Sequence, residues 1–186
     1  MKVPWRHFVF SVFFVMTISI LFPRGQAWAG EEDVKLQDFI KVSQYVDWPE
    51  QAMGSAFSDF VFGVIGDNDF YNRLLDMEKG KWFNGHPVAV REVVRLTAKD
   101  LGQCQVLFIA DSQKGRLKEI FSALKPYFIL TVSDIRHFAQ KGGMVEFIPK
   151  ENQITFAINT GQVEKTKLKI SSRLLQLATI VNSSGE

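Results

Sequence analysis

Three short polar clusters carry the residue types that could do chemistry. Gly66-Asp67-Asn68-Asp69 follows the apolar run Phe60–Ile65, Asp111-Ser112 follows Val106–Ala110, and Ser133-Asp134 follows Phe128–Val132. In open α/β sheets, ligands bind beyond the carboxyl ends of the parallel strands. Asp67, Asp69, Asp111 and Ser133 are therefore the candidate lining of a ligand cleft, able to hold a metal or a polar molecule. Asp67, Asp69 and Asp111 are also the candidate acids of a hydrolase. A plainer explanation competes with both. Each cluster stands just before a helical pattern, and Asp, Asn and Ser side chains accept hydrogen bonds from the first free amides of a helix. Capping is the reading favoured here.

A sharper arrangement is a phosphoacceptor domain of the receiver type. It would use Asp67 and Asp69, a central Asp111, the hydroxyl of Thr131 or Ser133, and Lys150 as the later lysine. Export of the chain, argued below, weighs against it, because phosphodonors are intracellular. Other chemistries lack their residues. His86 and His137 are not at metal-motif spacing, and one cysteine cannot build a thiolate site. Asp111-Ser112-Gln113-Lys114-Gly115 lacks the glycines of a phosphate loop, and no nucleophile elbow occurs. Ser171-Ser172-Arg173 could meet an anion at a helix start, but capping again suffices. No metal, no cofactor and no enzymatic activity are expected.

The elements that must position these groups follow from periodicity. Phe60–Ile65, Val106–Ala110 and Phe128–Val132 are continuous apolar runs rich in β-branched and aromatic residues. Such runs read as strands buried on both faces, as in a parallel sheet covered by helices. Pro87–Val93 is more mixed and belongs nearer an edge. Helical spacing appears in Leu36, Phe39, Ile40 and Val46, in Phe70, Leu74 and Met77, and in Leu117, Ile120, Phe121 and Leu124. Thr97–Asp100 resembles a capping box. Ile135, Phe138 and Ala139 predict a helix ending at Gly142-Gly143. Met144–Ile148 and Ile154–Ile158 flank Pro149–Gln153 as a hairpin, and a last helix should run from Ser171-Ser172 through Val181. The expected fold is α/β: a three-layer α/β/α arrangement with a mostly parallel mixed sheet closed by a C-terminal antiparallel hairpin.

Residues 1–29 read as a cleaved secretory signal. Lys2 and Arg6 precede the apolar run Phe8–Phe22, and Ala27-Trp28-Ala29 supplies small residues for cleavage after Ala29. The run is shorter than the ~20 residues of a spanning helix. Residues 30–186 then form one α/β domain. The whole chain has a net charge of +2, but the leader contributes Lys2, Arg6 and Arg24 and no acid, so the remainder carries −1. No nucleic-acid partner is implied. Cys104 has no partner for an internal disulfide, and its place before Val106–Ile109 predicts burial. Four aromatic residues remain outside the strand and helix patterns: Trp48, Phe57, Trp82 and Phe83. Trp82 and Phe83, in the turn-rich stretch Lys79–Gly85, are the candidate partner-binding residues, although rings folded back over a sheet edge would read the same.

At the level of the whole pattern the chain resembles the YfiR-like periplasmic proteins from about Lys35 to Val181. The pieces are Phe39-Ile40 with Tyr45-Val46-x-Trp48-Pro49, Phe62–Asp67, Cys104–Ile109 and Leu130–Asp134. They continue with Phe138-x-x-x-Gly142-Gly143-Met144-Val145, Ile154-x-Phe156-x-Ile158-Asn159 and Leu168–Ala178. The resemblance implies a periplasmic, non-enzymatic regulator in cyclic di-GMP signalling and biofilm control. It would bind the periplasmic part of an inner-membrane signalling protein, a diguanylate cyclase in the best-known case, and repress it. The alternative is a periplasmic small-ligand-binding sensor domain. Self-association as a homodimer stays open. The best-known member responds to redox state through disulfides, and this does not transfer to a chain with Cys104 alone.

Overall fold

The computed structural model describes residues 30–182 apart from residues 56, 151 and 152. The expected signal, residues 1–29, lies outside the described residues. The chain opens with α1 (Glu31–Gln44), β1 (Val46–Asp47) and α2 (Glu50–Met53), then β2 (Phe60–Ile65) and α3 (Asn68–Glu78). Next come β3 (Trp82–Phe83), β4 (His86–Glu92), α4 (Ala98–Leu101) and β5 (Val106–Ile109). A 3-10 segment, Asp111–Arg116, runs into α5 (Leu117–Leu124) before β6 (Leu130–Ser133). The rest is β7 (Val145–Lys150), β8 (Gln153–Ile158), α6 (Thr160–Glu164), β9 (Lys169–Ile170), α7 (Ser172–Gln176) and β10 (Ala178–Ile180).

Eight strands form one sheet in the order β10-β8-β7-β6-β5-β2-β4-β3, and β1 pairs with β9 in a separate two-stranded ribbon. Strands β4, β2, β5, β6 and β7 are parallel, and β7–β8 is the antiparallel hairpin. All residues of β2, β5 and β6 are buried, as their unbroken apolar runs require. Two cores flank the sheet. One packs Leu36, Phe39, Phe70 and Leu74 of α1 and α3, with Val163 and Leu174, onto Phe62 and Phe108. The other packs Leu101 of α4 and Leu117, Ile120 and Leu124 of α5 onto Val61, Leu107 and Ile109. This is the expected three-layer α/β architecture with a mostly parallel mixed sheet.

Four local readings are corrected. Ile135–Ala139 forms turns rather than a helix: His137 takes φ +62, and the His137 and Ala139 amides donate to the buried Glu146 carboxylate at 2.8 and 3.3 Å. The last helix stops at Gln176. Thr179-Ile180 then joins the free edge of β8 as a parallel strand, and the Val181 amide donates to the Ile158 carbonyl at 2.9 Å. β-branched residues suit that edge better than a helix face, so the hairpin does not close the sheet. The hairpin loop is shorter than expected, since Pro149 and Lys150 pair with Ile154 and Gln153. Val46 leaves the first helix and pairs with Ile170.

Gly142 and Gly143 are needed for different reasons. Gly142 sits at φ +102, a conformation unfavourable for residues with a β-carbon. A β-carbon on Gly143 would stand 2.1 Å from the Phe138 ring, which is itself fully buried. Gly143→Ala should therefore cost about 1–3 kcal/mol through overpacking, and Gly142→Ala a comparable amount through backbone strain. Urea unfolding measures both; a wild-type midpoint for Gly143→Ala would rule out the close ring contact.

Cys104 is 5% exposed and its thiol donates to the Asp100 carbonyl at 3.3 Å. Burial pushes the thiol up to about 11, with Arg91 pulling down and Asp100 adding to the rise. A raised native value means that the protonated thiol's contribution to stability is present below the ordinary 9.0 and is lost as pH climbs from there through about 11. At neutral pH a bulky thiol reagent should label the protein only after denaturation. Fast labelling of the native protein would place Cys104 at an accessible, reactive site instead.

Candidate functional site

The parallel strands reverse their order of addition between β2 and β5, since the chain places β4 on one side of β2 and then β5 on the other. The carboxyl ends of these two strands make the crevice where open α/β sheets hold ligands. Here the chain's own groups bridge it. The Ser112 hydroxyl donates to the Gly66 carbonyl at 2.8 Å, and the Gln113 side-chain Nε2 donates to the Ser112 oxygen at 3.1 Å. Gly66 sits at φ +87, and a β-carbon there would lie 2.4 Å from the Ser112 oxygen.

The four candidate cleft residues are placed as follows. Asp67 caps α3, its carboxylate accepting from the Phe70 amide at 2.9 Å. Asp69 is exposed in the first turn of α3. Asp111 is exposed and pairs with Lys114 at 3.0 Å. Ser133 is fully buried; its hydroxyl donates to the Ile109 carbonyl at 2.6 Å and accepts from the Ile135 amide at 3.0 Å. Thr131, the other hydroxyl of the receiver-type reading, accepts from the Met144 amide at 3.1 Å. Among the described residues, no group of three or more His, Cys, Asp or Glu side chains could hold a metal ion.

A polar cluster that the sequence did not reveal lies at the end of β6. Lys35 of α1, buried, donates at 2.8 Å to Asp134 and at 2.8 Å to Glu32. Burial lowers the lysine's affinity for its proton, but the two carboxylates outweigh it and hold the ammonium above its usual range. The other Asp134 oxygen, Oδ1, is buried without a partner among the described residues. Asp134 was visible as a polar residue after a strand. Its partner is 99 residues away, so no local pattern could join them.

The four unassigned aromatics separate. Trp48 packs edge-on against Phe60 at 5.4 Å, and Phe57 is 93% exposed. Trp82 and Phe83 form β3, joined to β4 by the turn Asn84-Gly85, whose φ angles are +48 and +84. Two consecutive positive φ values define the tight hairpin turn that Asn-Gly favours, and that dipeptide was the available signal. Successive strand residues face opposite sides. Phe83 stacks on Phe60 at 4.0 Å inside the core, while Trp82 is 69% exposed on the other side of the sheet. A separate cleft of about 330 Å³ lies at the amino ends of β6 and β7, lined by Phe121, Tyr127, Thr131, Met144 and Lys165 among others.

No helix among the described residues is long and apolar enough to cross a membrane. A search of curated proteins finds no match. A model of the YfiR/HmsC-like family matches residues 32–179, which spans both cores, the β3–β4 hairpin and the strand-end clusters. With that extent of match, the chain belongs to the YfiR/HmsC-like family.

Proposed function

We propose that the protein is exported to the periplasm on the signal of residues 1–29 and acts there as a non-enzymatic regulator. It docks on the periplasmic part of an inner-membrane signalling protein, a diguanylate cyclase, and represses it. Membership in the YfiR/HmsC-like family supports this reading. The observation that carries the docking site is Trp82, a large ring 69% exposed on a rigid edge hairpin whose neighbour Phe83 is locked by stacking on Phe60. Exposed aromatics held on rigid supports make effective anchors, because little side-chain freedom is lost on binding. Phe83 contributes by fixing the hairpin from inside. The strand-end carboxylates favour catalysis less, since Asp67 is spent on a helix cap and Asp111 on Lys114. A small-ligand sensor is the second reading, and the cleft beside Tyr127 and Lys165 is what speaks for it.

Trp82→Ala should leave melting within about 0.5 kcal/mol of wild type, as for an exposed substitution, and should abolish repression of the partner in cells at matched abundance. Early melting with intact repression would assign Trp82 a structural role and leave the docking surface elsewhere.

A further inference from the structure

Charge differs between the two helical layers. The helices α1 and α3, on one side, carry seven acidic residues against three basic ones. Beside them, residues 160–177 add Glu164 against Lys165, Lys167, Lys169 and Arg173, so that layer is close to balance. The opposite layer, built by α4, the segment Asp111–Arg116, α5 and the turns after β6, is basic. Lys99, Lys114, Arg116, Lys118, Lys125 and Lys141 are all exposed there. Its acids are already engaged: Asp111 by Lys114 and Glu119 by Arg116, both at 3.0 Å, and Asp100 by the Thr97 hydroxyl at 2.8 Å. Lys99, Lys118, Lys125 and Lys141 have no acidic partner among the described residues. Lys118 and Lys125 stand two helical turns apart along α5 and so point the same way.

The occupant must be anionic, and the face discriminates between two kinds. Protein interfaces are anchored by a few large apolar or aromatic side chains. None of the exposed large hydrophobic residues among those described lies in α4 or α5. A phospholipid surface needs no such anchor: its field draws in mobile lysines one by one.

We propose that the layer formed by α4, Asp111–Arg116 and α5 is a docking surface for anionic phospholipid headgroups, which would orient the protein on a membrane. This does not depend on the identity of any protein partner. The test is co-sedimentation of the purified protein with vesicles of phosphatidylcholine alone, or of phosphatidylcholine mixed with phosphatidylglycerol, at low and high salt. Binding to the anionic vesicles only, released by salt, is expected. Each basic residue near such a surface is worth roughly fivefold in partitioning, so Lys118→Glu with Lys125→Glu should weaken binding by at least about tenfold. Lys169→Glu with Arg173→Glu, an equal charge change on the α1 side, should stay within about twofold of wild type. Should the glutamate pair fail to fold, Lys118→Gln with Lys125→Gln replaces it, with the same direction expected. Equal binding to neutral vesicles would mean an apolar attachment. Equal loss in both charge-reversed proteins would mean a response to total charge. Absence of binding to anionic vesicles would exclude a lipid surface, and if repression is also lost in cells for the Lys118 and Lys125 variant the face is assigned to an acidic protein surface. Each of these three outcomes overturns the proposal. Failure of Trp82→Ala to affect repression would not bear on it.

Discussion

Phe70 of α3 stacks on Phe108 of β5 with ring centres 4.0 Å apart, and Phe39 of α1 meets Phe62, Phe70 and Phe108 at 5.5 to 5.7 Å. This ring cluster fixes the first layer of helices on the sheet. Each such pair adds about 0.5–1.5 kcal/mol beyond the area it buries, and the shared ring of Phe39 makes the contacts interdependent. The cluster extends through Phe62 and Phe60 to Phe83. The position of Trp82 at the sheet edge is thus a consequence of core packing. A hairpin of two residues a side would be marginal alone; the stack on Phe60 is what holds it.

Buried polar groups then pin the segments that the rings do not reach. The Gln105 side chain, 7% exposed, accepts from the Val61 amide at 2.7 Å and donates to the Ala52 carbonyl at 2.6 Å, tying α2 to the start of β2. Glu146 gathers the turns after β6 through two backbone amides. Lys35 ties the first turns of α1 to the end of β6 through Asp134. Leaving such a group unpaired costs about 1–3 kcal/mol, so these contacts specify one loop arrangement rather than adding broadly to stability. The strand-end polar groups are largely consumed in the same way, which leaves the outer surfaces as the places where a partner can be met.

Those surfaces differ in chemistry. The edge at β3 offers an exposed ring on a rigid support, while the α4–α5 layer offers basic side chains without apolar anchors. In the proposed role the first would recognise a protein partner and the second would orient the molecule on a membrane.

The sequence by itself determined the central strands and most helices, since two-sided burial must appear as unbroken apolar runs and one-sided helix burial as a 3.6-residue period. Phe60–Ile65, Val106–Ile109 and Leu117–Leu124 are legible on those grounds alone. The candidate cleft residues were legible as strand-end polar groups, and Asp67 as a helix cap, but the bond from Ser133 to the Ile109 carbonyl of the neighbouring strand was not. Only the tertiary structure decided that Phe83 turns inward and Trp82 outward. Alternation says that they differ, and the register Phe83↔His86 and Trp82↔Pro87 says which is which. It also decided that Ala178–Ile180 becomes a strand, because the unpaired edge of β8 exists only once the sheet is ordered. Lys35 and Asp134 meet for the same reason. Periodicity records which face of an element is buried, whereas edges, registers and contacts between distant residues arise from how the elements are stacked.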